Sequence, residues 1–461
     1  MTAIAAPSPA TEPITVLSAP PPWKHTLLSL GVRNYRIFAG TSLVALTALW
    51  MQRIAQDWLV LQLSGSVVAV GITTALQFAP MLVLGLVGGL IVDRYPKRTL
   101  LIITQSASVL TSAVLAVLAL TGTIEVWHVY VVAVVLGLIT VVDNPARQVF
   151  TNELVGPSLL RYAISLNSST FQLGALVGPA LSGALLVAVG AGWAFGINAI
   201  ACALVVVALT RLNTAELHRA PRAARAKGQL REGIRYAVRK PAILWTLVLL
   251  AVLAVFAQNL PVLLAAYADH VFGTGAGGYG VFNSLTGALL STRRRSVSLR
   301  TVVVATAAYG ALQAIAGLLP GQLAFSASLV LVGFSWLLFI TAANTLVQMS
   351  TNMGVRGRVM ALYMLVLLGG QAIGGPLMGA FVEHAGAQLG MVVSGGVPVL
   401  VAGVVAAVLW RRGLLGLAPA AGSRGRRSRR HPPIYGCARG SGCGRVRACQ
   451  PTTTPPPPRS A

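Results

Sequence analysis

The sequence predicts an all-α membrane protein: twelve transmembrane helices in two pseudo-symmetric six-helix bundles, with helix 8 shortened. Three observations carry that prediction. The chain of 461 residues is 55% hydrophobic and only 10% charged, where a soluble globular domain carries roughly 25% charged residues. A chain this long and this apolar lacks the polar surface to face water, and a bilayer removes the contradiction. Its basic residues fall in alternate connections between apolar runs, and a pattern of polar residues in the first half recurs in the second.

A helix crosses the hydrocarbon core with about 20 apolar residues. Runs of that kind place spans at 37–62, 67–92, 99–121, 126–148, 162–189, 191–211, 242–266, 277–292, 299–319, 322–347, 358–384 and 388–410. Each has to be helical, because lipid offers no partner to a free backbone N–H or C=O. Span 8 is short. Gly277 to Thr292 is 16 residues, about 24 Å at about 1.5 Å per residue, and such a helix reaches both interfaces only where the bilayer thins around it.

The charges set the orientation. With the N-terminus in the cytoplasm, the cytoplasmic segments hold Lys24, Arg33 and Arg36; Arg94, Lys97 and Arg98; Arg147 and Arg161; the basic residues from Arg211 to Lys240; Arg293, Arg294, Arg295 and Arg300; Arg356 and Arg358; and all those from Arg411 onward. These are 34 of the 35 lysines and arginines, and only Arg53 is left, inside span 1. The external connections hold none and carry Glu125, His128, Asp269, His270, Glu383 and His384 instead. A net charge of +25 taken alone points to nucleic acid. Basic residues scattered over many loops and tails, and not gathered on one face, exclude that reading.

Residues 1–34 are expected to form a disordered cytoplasmic N-terminus, since the first 23 are rich in Pro and Ala and lack the basic start and apolar core of a cleavable signal. Residues 35–211 form the N-terminal bundle and 242–412 the C-terminal bundle. Between them lies a cytoplasmic linker, 212–241, in which Leu230, Ile234, Tyr236, Ala237 and Val238 interleave with basic residues as in a helix lying on a membrane surface. Residues 413–461 read as a disordered basic tail. Its Cys437, Cys443 and Cys449 match no common zinc spacing, and with Cys202 inside an apolar run nothing suggests a disulfide framework.

The halves repeat. Asn144-x3-Gln148-x2-Thr151-Asn152 recurs as Asn344-x3-Gln348-x2-Thr351-Asn352, and Gly178-Pro179-x3-Gly183 of span 5 is matched by Gly375-Pro376-x2-Gly379 of span 11. Parallel six-helix repeats are one transporter architecture, with the binding site between the halves.

The strongest local motif joins spans 2 and 3: Gly89-Leu-Ile-Val-Asp93-Arg94-Tyr-Pro-Lys97-Arg98. It resembles the major facilitator superfamily signature Gly-x-Leu-Ala-Asp-Arg-x-Gly-Arg-Lys, with Pro96 where glycine is usual, and the resemblance covers residues 30 to 412. It implies the major facilitator fold and a latch in which Asp93 meets the N-terminus of span 11, where a helix dipole stabilises a carboxylate by about 0.3–1 kcal/mol. Asp143-Asn-Pro-Ala-Arg147-Gln148, Asp57-Trp58 and Leu166-Asn167-Ser168 are similar to the drug:proton antiporter branch that holds the bacterial enterobactin exporter and macrolide efflux proteins. That branch implies a charge relay joining Asp93, Lys97 and Asp143. In span 5, Gly174-x3-Gly178-Pro179-x3-Gly183 resembles the antiporter signature Gly-x3-Gly-Pro-x2-Gly-Gly, with Ser182 replacing one glycine. Glycines four apart let helix backbones approach closely.

Arg53 and Asp57 are spaced i, i+4 within the membrane, as Asp143 and Arg147 are at the end of span 4. Either pair is a proton-coupling site or a structural ion pair. An intramembrane charge faces a cavity or a partner. Burial and a neighbouring guanidinium act on a carboxyl in opposite senses, and a balance that changes with conformation is what proton coupling needs. Gln52, Gln56, Gln77, Asn167, Ser168, Gln172, Gln258, Asn259, Asn283, Asn344, Trp50, Trp245 and Trp336 are candidates to line the cavity; each alone is equally consistent with helix packing.

The expected function is export of an amphipathic small molecule, a drug-like compound or a siderophore, by proton antiport through alternating access in the plasma membrane. The alternatives are a facilitator or importer, or a degenerate protein that does not transport. No Gly-x4-Gly-Lys-Ser/Thr phosphate cradle occurs, so ATP hydrolysis is not expected, nor is enzymatic activity, a metal or a cofactor. The expected partners are the substrate, protons and the bilayer, with the chain a monomer.

Overall fold

The computed structural model describes residues 27–218, 229–287, 298–352 and 355–412. Among these residues everything regular is helical. A short turn, Leu27–Gly31, buries Ser29, and α1 follows over Arg33–Ser64, so part of the expected N-terminal tail is helical. The remainder of that tail and residues 413–461 lie outside the described residues.

Local chemistry ends the first helices. Gly65, at φ 64°, closes α1 by donating its N–H to the Leu61 carbonyl; a left-handed C-cap suits glycine, which has no Cβ to clash. Ser66 accepts the Ala69 N–H and starts α2, Val67–Arg94. Pro96 then separates α2 from α3, Lys97–Leu120.

The next helix runs unbroken from Val126 to Ala188 except at Gly156, whose φ of 67° and ψ of 178° split it into two arms, 126–155 (α4) and 157–188 (α5). The sequence reading left 149–161 outside the spans. Phe150, Leu154 and Val155 explain the difference, because they continue the helical spacing and bury against Tyr35, Leu101 and Leu209. Helix α6 covers Ala191–Thr210.

The linker is docked on both halves. Asn34 donates to the Asn213 carbonyl at 3.0 Å and to Glu216 Oε2 at 3.2 Å. Helix α7, Gln229–Arg239, buries Ala237, and Tyr236 Oη accepts the Asn352 N–H at 3.1 Å.

In the second half, α8 spans Pro241–Val271 and is irregular. It has π-helical turns at Leu253–Ala257 and Tyr267–Val271 and a break at Gln258 and Asn259. A broken helix at membrane depth needs partners for its freed carbonyls, and side chains supply them. Asn259 Nδ2 donates to the carbonyls of Ala254 and Val255 at 3.3 and 3.1 Å, and Tyr309 Oη donates to that of Ala257 at 3.1 Å. Helices α9 (Gly275–Thr286), α10 (Leu299–Leu318), α11 (Gln322–Met349), α12 (Arg356–Ala385) and α13 (Ala387–Arg411) complete the half.

Ten helices among the described residues are long and apolar enough to cross a membrane, with α4 and α5 taken as one. The twelve-span reading separates those arms and admits α9, whose 12 residues rise about 18 Å at about 1.5 Å each; residues 288–292 of expected span 8 lie outside the described residues. Large apolar side chains cover the outside. On α3, Ile103, Leu110 and Val117 recur every seven residues and are 59%, 67% and 60% exposed, a face suited to lipid and costly in water. The turns 64–67, 120–126, 188–191, 271–275, 318–322 and 385–387 share one end of the bundle and contain no Lys or Arg. The other end is basic.

Small residues set the packing, in the same way twice. Helix α5 lays Gly174 and Gly178 on α1, where a Cβ on Gly178 would meet the Thr47 carbonyl oxygen at 2.8 Å. Helix α12 lays Gly370 and Gly374 on α8, where a Cβ on Gly374 would meet the Val255 oxygen at 2.0 Å. Each of the two then packs across to the other half, α5 on α9 and α12 on α2. Pro179 and Pro376 lie on these corresponding helices.

Candidate functional site

A cavity of about 450 Å³ lies between the halves. On α1, Trp50, Arg53 and Asp57 fall at i, i+3 and i+7, one helical face, and all three line it. Gln77 and Phe78 of α2, Gln172 of α5, Gln258 and Asn259 of α8, Asn283 of α9, Trp336 of α11 and Gln371 of α12 complete most of the wall. A second cavity of about 330 Å³, lined by the first half and by Leu368 of α12, lies toward the basic end against Asn144, Arg147, Gln148 and Asn167.

Arg53 and Asp57 share the cavity but do not pair. Among the described residues no ion pair within 4 Å joins them, so the structural ion pair weighed as an alternative for these two is not formed. The Arg53 guanidinium sits 5.3 Å from the Trp50 ring centre and 5.7 Å from that of Phe78, a cation over two aromatic faces. Asp57 turns away and accepts a hydrogen bond from Tyr279 Oη of α9 at 3.3 Å, while its Oδ1 is buried without a partner. Leaving a charged or polar atom buried and unmatched costs about 1–3 kcal/mol or more, so this carboxyl is poised to gain from a proton or a ligand.

Asp143 is placed differently. Its Oδ1 accepts from Thr104 Oγ1 and Gln105 Nε2, both at 2.8 Å, and its Oδ2 accepts from Arg147 Nε and Nη2 at 3.2 and 3.1 Å. Arg147 also donates to Ser42 Oγ at 3.0 Å. Neither Asp93 nor Lys97 is among these partners, and Asp143 and Arg147 form a locally satisfied pair. Removing one member of a buried ion pair costs about 3–5 kcal/mol. Asp143→Ala is therefore expected to lower the melting temperature and the membrane yield sharply, read by fluorescence-detected size exclusion. A wild-type melting curve would show the pair to be dispensable.

The motif between α2 and α3 has a clear local role for one residue. Arg98 donates from Nε to the Leu209 carbonyl at 2.7 Å and from Nη2 to that of Thr210 at 2.8 Å, which satisfies the free C-terminal carbonyls of α6. Asp93 is half-buried at the end of α2, Arg94 is exposed, and Lys97 opens α3. Gly89 is half-buried, and its neighbour Gly88 makes the close approach: a Cβ there would meet the Val141 oxygen of α4 at 2.2 Å.

The polar candidates divide. Gln52 is fully buried and accepts from Ser112 Oγ at 2.8 Å and Asn198 Nδ2 at 2.7 Å, a packed triad. Gln56 is buried with both amide atoms unmatched. Asn344 lines neither cavity and accepts from Gln348, and Ser168 and Trp245 line neither as well. The sequence reading missed Tyr279, Phe78, Phe171 and Gln371. Of these only Gln371 carries a readable signal, a polar amide inside an apolar run.

The rim of the interface at the Arg-free end is held by Glu383 at the end of α12. It accepts from Ser66 Oγ at 2.6 Å and from the Val68 N–H at 3.0 Å, and so sits on the N-terminus of α2.

A family model described as a transmembrane secretion effector matches residues 26–413. Over 386 residues the chain is 28% identical to the multidrug efflux pump Tap of Mycolicibacterium fortuitum, covering 79% of this chain and 93% of that protein. It is 30% identical over 175 residues to the staphyloferrin A transporter of Staphylococcus aureus, a match spanning 38% of this chain and 44% of that protein. It is 26% identical over 320 residues to the enterobactin exporter EntS of Escherichia coli, covering 67% and 76%. Among solved structures, a POT family transporter in complex with a thioalcohol-conjugated peptide superposes with a TM-score of 0.66 at 13% identity, covering 82% of this chain and 96% of that one. A bacterial homologue of the lysosomal transporter Spinster superposes with a TM-score of 0.62 at 14% identity, covering 84% and 97%.

Proposed function

The chain belongs to the transmembrane secretion effector family of the major facilitator superfamily, and from that premise we propose that it is a secondary active transporter exporting an amphipathic small molecule, drug-like or siderophore, by proton antiport. The observation that carries this reading is Asp57: a carboxyl on the cavity wall between two repeated halves, with one oxygen unmatched. Efflux pumps and siderophore exporters among the relatives support the outward direction. The basic end faces the cytoplasm, by the positive-inside rule, and the end bearing Ser66 and Glu383 faces out. The aromatic and amide lining suits an amphipathic substrate.

Alternating access then means closing one end of the cavity while the other opens. Asp93 is the proposed latch at the cytoplasmic end. Asp93→Ala is expected to reduce efflux severalfold with the protein still in the membrane, and wild-type efflux would remove the latch from the mechanism. The reading as a whole is tested by ethidium efflux from cells expressing the protein, with and without an uncoupler. Export that the uncoupler stops supports antiport. Accumulation indicates import, and no transport of a panel of dyes and siderophores indicates the degenerate protein that the short apolar run 277–292 favours as a second reading.

A further inference from the structure

We infer that Tyr279 is the positioning residue that ties the state of Asp57 to closure of the outer end, an inference that rests on the proton-antiport reading above. The two residues belong to opposite halves. Asp57 is on α1 and Tyr279 on α9, and the hydroxyl of the fully buried Tyr279 gives the Asp57 carboxyl its hydrogen bond, at 3.3 Å. The other close contacts of Tyr279 and its neighbour also cross to the first half. Its ring stacks on Trp58 with centres 5.8 Å apart. The next residue, Gly280, abuts α5 so closely that a Cβ there would meet Gly183 Cα at 2.5 Å. Opening the outer end moves α9 away from α5 and α1, so the bond exists only while that end is closed.

The strength of the bond depends on protonation. A hydrogen bond to an ionised carboxylate is about twice as strong as one between neutral groups, and a low local dielectric accentuates the difference. One contact thus depends on both closure and charge, and each must bias the other, because coupling between two equilibria is reciprocal. Few other groups compete for this role. Arg53 lies one turn away on α1 and Tyr309 across the cavity on α10, while α2, α5, α8 and α12 present the uncharged Gln77, Gln172, Gln258 and Gln371.

The test uses the full-length protein in lipid nanodiscs with its four cysteines replaced by alanine. Spin labels are placed at Thr123→Cys and Gly321→Cys, exposed turn residues of opposite halves at the outer end. Label separation, followed across pH, reads the closed fraction without any substrate. Tyr279→Phe keeps the ring and removes the hydroxyl. It is expected to lower the closed-to-open ratio by roughly five- to tenfold on the alkaline side of the transition, where Asp57 is ionised, and to leave the acid side near wild type. In an Asp57→Asn background the same substitution is expected to change little. A Tyr279→Phe profile that overlays wild type, or that falls equally at every pH in both backgrounds, overturns the inference while leaving the proton reading intact. If Asp57→Asn alone retains the full pH dependence, the proton reading itself fails, and the coupling role of Tyr279 fails with it. Should Tyr279→Phe not fold, Tyr279→Leu, which likewise has no donor to offer Asp57, carries the same expectation.

Discussion

Asp57→Asn is expected to abolish uncoupler-sensitive efflux while leaving the protein folded and in the membrane. The amide keeps the shape of the side chain and still accepts the Tyr279 hydroxyl, so the helix contacts of α1 are undisturbed. What it loses is titration. Asp57 lies on the wall of the cavity with Oδ1 unmatched, whereas Asp143 has both oxygens occupied by Thr104, Gln105 and Arg147. A carboxyl that accepts four hydrogen bonds is held in one state, and a carboxyl that accepts one is free to change. Dye binding measured by fluorescence anisotropy is expected to survive in Asp57→Asn. Efflux that keeps its full sensitivity to the uncoupler would move the proton site elsewhere, and Asp143 would be the next residue to test.

Two glycines on opposite sides of one contact are expected to fail in different ways. Gly374 faces α8 within its own half, where a Cβ would lie 2.0 Å from the Val255 carbonyl oxygen and 2.3 Å from Asn259 Nδ2. Gly374→Leu drives a side chain into the carbonyls that Asn259 satisfies, and overpacking of a core costs about 1–3 kcal/mol even where side chains alone must move. Folded protein should disappear. Gly71 faces the other half, where a Cβ would lie 2.3 Å from the Gly375 oxygen. Gly71→Leu leaves the packing inside each half alone and obstructs only their approach, a few residues from the Glu383 contacts with Ser66 and Val68. That variant should reach the membrane at wild-type level, hold the outer end open by label separation, and transport nothing. Equal yields for both variants, or active Gly71→Leu, would contradict the packing described here.

Much of the architecture was legible because lipid makes the signal one-dimensional. Apolar length and the placement of Arg and Lys mark helices such as α3 and α6 almost to their ends. The bend at Gly156 was not legible, since Thr151, Asn152 and Glu153 look like a loop while Phe150, Leu154 and Val155 carry the helix on into a buried cluster. For the site, the spacing of Arg53 and Asp57 put both on one face of span 1 but left a proton-coupling site and an ion pair open, and the aromatic rings and Tyr279 that hold the two groups apart were not readable. Spacing within a helix cannot reveal a partner from a distant one. Tyr279 is one of ten tyrosines and looks like core, and Glu383 looks like an ordinary loop charge. Both matter only through the other half.

The interrupted helix α8 has a consequence for how the two halves move. Its counterpart α1 is a continuous rod of 32 residues, whereas α8 changes hydrogen-bonding register at Leu253–Ala257 and breaks at Gln258 and Asn259, with its loose carbonyls held by side chains. Sharp bends in helices concentrate at such π-turns and inserted side chains. The repeat is therefore symmetric in layout and asymmetric in stiffness at this pair of helices: α1 tilts as a rod, and α8 can also flex about Asn259 at the level of the cavity. A ligand touching that elbow would meet a wall that yields on one side and not on the other.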